Sequence, residues 1–590
     1  MSNSPPLKKK IVIIGAGVAG LSAATMLCNI PNLEIVIYEK EEQIGGQMSS
    51  IYTNTCNVEH SWRVFNANYH NLWYIFKTIN VIDNFTEFEN NCVIGDNNFF
   101  IMNSFYYNVI KQVLANEKIE NYHKYFNFLF ECKTRKITEY DFVNAYEYFN
   151  KNNFIKLLLG PYAGLEATKT SLSSIWKNTY SLYNSDISLN APKSKRKIKV
   201  GFITKIPTQD AIFVNWEKYL ISKSVKICKS TSIKDIIFKK DIVRANLLSP
   251  PIKSIIVENS FYESHEITAD DFIFASSIGD INKIISSKKE FSRIFRKNMI
   301  NIQKKNLQLY FTANFYFSKK LNKWNQADCE LFTLIDAPWI PIIQRKIHWE
   351  GKISQCNSTI SEIWNVGFLD YVKGYNNKFV SECFSIEEVV LEGISQIKKN
   401  KFLNNIFQLN NTTFDESYLG YEVWNQFTTS STMQNSTTRI IDLNPKFSVN
   451  VGTMHLLPET QPTNFPENMY LSGYYVKNSY GGASMESSCI TGLNASVKII
   501  NKYGLKNPFE NVLPYELKNN ELLFDYLIIF LPFMYLDRIL YYFHFSSIIN
   551  YINSFYLFIF YFLFLFCIIT YIIYFLASLS WRKRYRWWWR

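Results

Sequence analysis

Ten cysteines are scattered over 590 residues without a single CxxC pair. That absence argues against a zinc site and a thioredoxin-like redox couple. The spacing frames no disulfide scaffold either, so reduced thiols are expected. No secretory leader is visible. Met1–Lys10 is polar, and the apolar run that follows, Ile11–Ile14, is only as long as a strand. No internal repeat is present. Charged residues make up 19% against 47% hydrophobic, a globular rather than a disordered balance. The formal net charge is +13, and five of the positive charges fall at Arg582, Lys583, Arg584, Arg586 and Arg590. The remainder is spread thinly. With no clustered basic face and no recognisable binding module, nucleic acid is not an expected partner.

What is there begins at the N-terminus. Ile11–Ile14 and Ile35–Ile37 are β-branched runs, and Leu21–Asn29 between them has helical composition and ends before Pro31. The turn after the first run reads Gly15-Ala16-Gly17-Val18-Ala19-Gly20, and Glu39 follows at the end of the second run. This is the context of a dinucleotide-binding unit. Gly15 permits the tight turn, Gly17 lets the backbone approach a pyrophosphate, and Gly20 lets helix and strand pack closely. The helix N-terminus offers unpaired N–H groups to the phosphates, and Glu39 can accept from ribose hydroxyls.

The segment continues Glu39-Lys40-Glu41-Glu42-Gln43-Ile44-Gly45-Gly46-Gln47. Far downstream lie Tyr470-Leu471-Ser472-Gly473-Tyr474 and Ser484-Met485-Glu486-Ser487-Ser488. In these three motifs the chain resembles the flavin amine oxidase and phytoene desaturase superfamily. The resemblance covers residues 8–503 and is concentrated at the two ends. It implies non-covalent FAD, with Gly15, Ala16, Gly17, Gly20, Glu39, Lys40, Gly45, Gly46, Gln47, Val225, Gly473, Tyr474, Met485 and Glu486 around it. Gly45–Gly46 would pass the pyrophosphate, Val225 would lie beside the adenine, and the helix opening at Met485 would face the flavin pyrimidine ring. Three positions depart from the pattern. Gln47 stands where many members have Arg, Tyr474 where an acidic residue binds the ribityl chain, and Ser487 where Gly follows the Glu. Asn57-Val58-Glu59-His60-Ser61-Trp62-Arg63 resembles a desaturase segment beneath the flavin, which makes His60 and Arg63 the candidates nearest the chemistry. The alternative is a buried His and a structural Arg–Glu pair. Cys489 is expected to pack a helix rather than to carry flavin. Trp339, Trp349 and Trp424 are either core residues or walls of a substrate pocket.

The βαβ unit and the resemblance imply an α/β fold, and 590 residues exceed one ordinary core, so two or more packed domains are expected. A split FAD-binding Rossmann-like domain (8–75, 198–288, 444–503) is interleaved with an α+β substrate domain (76–197, 289–443). A linker (504–521) leads to a membrane-associated tail (522–590). Tyr551–Leu579 is 29 residues without a charge, which exceeds the ~20 needed to cross a bilayer. A transmembrane helix is therefore expected at about 552–579, as a single-pass or hairpin anchor with the flavin domain on the cytosolic side. The expected function is a membrane-anchored FAD-dependent oxidoreductase. It would take hydride from a lipophilic, isoprenoid or carotenoid-like substrate, with oxygen or quinone as acceptor. Two alternatives stand beside it: an oxidase of small amines, and a flavin-binding membrane protein whose catalysis has decayed.

Overall fold

The computed structural model divides the chain into two compact units, residues 1–116 with 131–520, and residues 117–130 with 521–590. It describes residues 8–515, apart from 54–55, 89–90, 95–98, 102–136, 149–168, 175–176, 178–187, 194–200, 240–248, 321–329, 347–348, 350–358, 402, 405–410, 425–426, 432–437, 444, 481–483 and 511. All of these belong to the first unit. The expected transmembrane helix at 552–579 lies outside the described residues. Among those residues, no helix is long and apolar enough to cross a membrane.

The elements that build the site are, in chain order, β1 (Lys9–Ile14), α1 (Val18–Leu27), β2 (Leu33–Tyr38), β3 (Ser50–Tyr52), β4 (Asn57–Glu59), α2 (His70–Thr78), β5 (Lys226–Cys228), β6 (Thr231–Phe238), β7 (Asp271–Phe274), β8 (Leu307–Gln308), β9 (Tyr310–Phe317), β10 (Ile342–Arg345), β11 (Glu362–Leu369), β12 (Lys446–Phe447), β13 (Met469–Leu471) and α3 (Met485–Lys502).

The first sheet has the order β5-β2-β1-β7-β13 and is parallel throughout. A parallel sheet is covered on both faces, so its strands read as continuous apolar runs. Alternate residues sort accordingly. Ile11, Ile13, Ile35, Ile37, Ile273 and Tyr470 enter one core, with α1 and α3. Val12, Ile14, Val36, Tyr38, Phe272, Phe274 and Leu471 enter the core on the other face. The chain thus draws strands for one sheet from residues 9 to 471. A three-stranded antiparallel sheet of β6, Ile252–Asn259 and Ser264–Thr268 follows β5.

The second large sheet has seven strands. Tyr418–Val423, β9, β11, β10, Leu331–Leu334, Asn91–Ile94 and Phe99–Ile101 lie side by side in that order. All its pairs are antiparallel except Leu331–Leu334 with Asn91–Ile94. The helix Ile386–Lys399 shares its core through Val389, Val390, Ile394 and Ile397. Gly393 makes the approach possible, because a Cβ there would overlap the Phe368 ring. A short antiparallel ribbon, β8 with β12, pairs Leu307 with Phe447 and Gln308 with Lys446. β8 runs on into β9 of the seven-stranded sheet, and the chain after β12 leads to β13 of the parallel sheet. The ribbon therefore joins the two.

Trp364 is inside β11 and fully buried. Trp339 and Trp424 lie in the core of the seven-stranded sheet, and Trp349 is buried against Tyr316, Ile360 and Ile363. The expectation of reduced thiols also needs correction. Cys28, Cys228, Cys383 and Cys489 are free, but Cys56, buried next to β4, is disulfide-bonded.

Candidate functional site

The glycine turn sits where β1 hands over to α1. Gly15 has φ of 105°, and a Cβ there would lie 2.8 Å from the Ala275 carbonyl oxygen at the end of β7. At Gly20 a Cβ would overlap the Gly15 carbonyl. Gly17 differs from both. It caps α1 at an ordinary φ of −78°, and a Cβ there would meet nothing within 4 Å. No side chain caps α1, and its first turn carries no acidic residue. The orphan N–H groups and the positive end of the helix dipole therefore open onto free space.

The second glycine turn lies directly against the first. The Gly45 N–H donates to the Ala16 carbonyl at 2.8 Å, and Gly17 and Gly45 form a parallel bridge. Gly45 and Gly46 have φ of 119° and 57°, a conformation that side chains disfavour. A Cβ on Gly46 would lie 3.2 Å from the Gly17 Cα. Two bare backbones therefore face one uncapped helix end, an arrangement suited to a pyrophosphate. The Arg63 guanidinium holds the far side of this turn. It donates to the carbonyls of Gln47 (3.0 Å), Met48 and Ser49 (3.2 Å). Gln47 turns its side chain away and donates to the Pro445 carbonyl at 3.2 Å.

Glu39 is buried at the end of β2. Its carboxylate accepts the Ala16 N–H at 2.6 Å and the Glu41 N–H at 3.0 Å. Burial raises its pKa, against the pull of those two N–H groups. Lys40 pairs instead with Asp280 at 3.0 Å. The backbone beside Glu39 comes from the turn after β5. Thr231 donates to the Glu39 carbonyl at 2.8 Å and Ser230 to that of Glu41 at 3.0 Å. Val225 lies just ahead of β5, buried in the core with α1 and Leu220. The residues that reach the Glu39 end are thus Ser230 and Thr231, which sequence reasoning missed. The signal available was the polar Ser-Thr-Ser turn between two β-branched runs.

At the other end of the site, Gly473 follows β13 with φ of 130°, and its N–H donates to Thr491 Oγ1 at 2.9 Å. The Tyr474 ring packs on Phe447 at 5.1 Å. Tyr475 is fully buried, and its hydroxyl finds no partner among the described residues. α3 begins at Met485 with Ser484 as its N-cap, accepting the Ser487 N–H at 3.0 Å. The Glu486 carboxylate does not point along this helix. It accepts from Asn71 N–H (2.8 Å), Asn71 Nδ2 (2.8 Å) and Leu72 N–H (2.9 Å), and so caps α2. Burial drives its pKa up to about 7 even so. Cys489 lies one turn on and accepts the Ser22 hydroxyl at 3.3 Å, which ties α3 to α1.

Beneath β3 and β4 lies a buried charged group. Lys346 Nζ is 2.7 Å from Glu59 Oε2 and 2.8 Å from Gln344 Oε1. Thr208 N–H adds 3.0 Å to Glu59 Oε1, and Gln344 bonds the Arg63 backbone in both directions. Burial alone would raise the Glu59 carboxyl, but Lys346 and Arg63 outweigh it and hold it at about 2. His60 is buried with its ring edge-on to Trp424 at 5.5 Å, and its carbonyl accepts the Thr312 hydroxyl at 2.6 Å. Of the candidates nearest the chemistry, Arg63 is thus committed to backbone carbonyls, and His60 faces an aromatic neighbour.

Comparisons with known proteins were made against this geometry. A family model described as an NAD(P)-binding Rossmann-like domain matches residues 13–79. The sequence matches no curated protein. Solved structures match over most of the chain. An oxidoreductase from Methanosarcina mazei is 11% identical with a TM-score of 0.52, covering 82% of this chain and 99% of that one. Putrescine oxidase bound to putrescine is 12% identical with a TM-score of 0.55, covering 84% and 99%. Cyclohexylamine oxidase from Brevibacterium oxydans IH-35A is 11% identical with a TM-score of 0.52, covering 84% and 100%. At these identities the likeness is one of fold.

Proposed function

Given a chain with the fold of the FAD-dependent amine oxidase and desaturase superfamily, we propose that it is an FAD-dependent oxidoreductase. The observation that carries this reading is the uncapped N-terminus of α1, flanked by the Gly17 and Gly45–Gly46 backbones, with the buried Glu39 carboxylate close by. Gly15–Gly20 and Gly45–Gly46 would hold the pyrophosphate, and Glu39 the adenosine ribose. The buried, unpartnered Tyr475 hydroxyl beside Gly473 is a donor available toward the ribityl end, where the sequence lacks the usual acid. Bound flavin supplies a two-electron acceptor. The protein supplies position and electrostatics.

The uncharged run Tyr551–Leu579 supports a membrane anchor, and with it a lipophilic substrate and a quinone or oxygen acceptor. The disulfide at Cys56 weighs against a reducing cytosol around the flavin domain. Protease protection in sealed vesicles reads the side directly. An oxidase of small amines shares this fold and has no residue here that favours it over the lipophilic reading. The test is purification of the full chain in detergent. A bound yellow chromophore that bleaches on anaerobic addition of the substrate supports the proposal. A folded, colourless protein that takes up no added FAD sinks it.

A further inference from the structure

One stretch breaks the thin spread of positive charge. Residues 283–305 hold eight lysines and arginines against one acid, Glu290. They form the end of the helix Ile278–Ile285, a turn, and the helix Arg293–Asn306, whose own sequence has no acidic residue. The Ser292 hydroxyl caps this second helix by accepting the Phe295 N–H at 3.1 Å. Its inner face is apolar. Met299 and Ile302 are buried in the core on one face of the parallel sheet, and Phe295 packs on Phe291 and Phe465. Arg293, Lys297 and Lys304 are spaced by four and seven residues, so they fall on one line along the helix, away from Met299 and Ile302.

Neighbours do not neutralise this face. Lys289, Arg293, Lys297, Lys304 and Lys305 are exposed, and none has an ion-pair partner among the described residues. Nearby acids are engaged elsewhere, Asp280 with Lys40 and Lys283, and Asp235 with Lys288. Ile294 stands among the cations with 74% of its surface exposed. Like charges on one face repel one another, and an extended anionic surface relieves that repulsion.

A basic face attracts nucleic acid and anionic lipid alike. Two observations favour lipid. Ile294 offers an apolar side chain that a bilayer interface accepts and a phosphodiester backbone does not. The chain also carries the uncharged run Tyr551–Leu579, and a chain anchored by such a run meets a bilayer. We infer that the exposed face of the helix Arg293–Asn306 is a docking surface for an anionic membrane, with its cations on the lipid headgroups and Ile294 at the interface. The choice of a bilayer rests on the anchor proposed above, but the surface is tested separately from it.

The full chain is reconstituted in vesicles of phosphatidylcholine, or of equal parts phosphatidylcholine and phosphatidylserine. A water-soluble acetylating reagent is applied, and mass spectrometry reads each lysine. Lys289, Lys297, Lys304 and Lys305 should react at least threefold more slowly in the anionic vesicles, relative to the exposed Lys226 and Lys401 of the same molecules. Molar salt should abolish the difference. Lys297→Glu with Lys304→Glu should abolish it at Lys289 and Lys305, with an unchanged melting temperature. Lys297→Gln with Lys304→Gln serves if that variant fails to fold. Equal reactivity in the two kinds of vesicle, or equal protection of every lysine, overturns the inference. So does equal protection by a DNA duplex at the same salt, which makes the partner a nucleic acid. Alkaline carbonate on the same vesicles reads the anchor. A chain that carbonate extracts, yet whose four lysines are protected by phosphatidylserine, loses the anchor and keeps the surface. A carbonate-resistant chain indifferent to phosphatidylserine loses only the surface.

Discussion

A methyl group added at Gly17 would meet nothing within 4 Å, whereas one added at Gly20 would overlap the Gly15 carbonyl. The two glycines belong to one motif but answer to different physics. Gly17→Ala should leave the melting temperature near that of wild type and weaken FAD uptake at least tenfold, because the methyl intrudes on the phosphate. Gly20→Ala should lower stability itself, by about 1–3 kcal/mol, as overpacking does. Thermal melts beside flavin titrations check both. If Gly17→Ala binds FAD like wild type, the cradle has been misassigned. Glu59 and Lys346 make a second residue-scale case. Lys346→Met strands a buried carboxylate and should cost about 3–5 kcal/mol. The stabilisation from Glu59, whose pKa is depressed to about 2, is complete above the ordinary carboxylate value of 4.5. It is lost as pH falls from there toward 2. Acid unfolding of Glu59→Gln should accordingly be flatter below pH 4.5.

The element whose role differs most from its sequence signature is α3. Its first turn carries Met485–Glu486, a segment that resembles the flavin-closing motif, yet the Glu486 carboxylate caps α2 across the interface. Glu486→Ala should therefore cost about 1–3 kcal/mol through the lost α2 cap, read as a fall in denaturation midpoint. The pH dependence has the opposite sign to that of Glu59. The folded pKa of Glu486 is raised to about 7, so the folded state holds the proton more tightly. Its contribution is most favourable below pH 4.5 and declines as pH rises to 7. A Glu486→Gln variant whose stability falls over that window as steeply as wild type would refute the assignment. Tyr474 is similar in kind. Its place in the strand–loop–helix pattern is readable, but its packing on Phe447 follows from β12 being delivered there by the ribbon with β8.

At the scale of the whole molecule, the tail is the open term. Alkaline carbonate should fail to extract the full chain from membranes, and a chain ending near residue 520 should appear in the soluble fraction with its flavin retained. Extraction of the full chain would remove the anchor from the proposal. The glycine-turn end of the candidate site was largely legible, because Gly15–Gly20, Glu39 and Gly45–Gly46 lie within or just after one βαβ unit. The rest of the site was not. Ser230, Thr231, Arg63 and Pro445 acquire their meaning only when distant segments meet.

The sequence by itself determined the local events: β-branched runs became buried parallel strands, glycines became turns, and Ser484 became a cap. These depend on φ, ψ and near neighbours, which a short window contains. The tertiary structure alone decided where the long side chains went. It committed Arg63 to three carbonyls and gave Lys346 to Glu59. Partnering of a buried charge depends on what the fold brings within a few ångströms, and for Lys346 that was a residue 287 positions away.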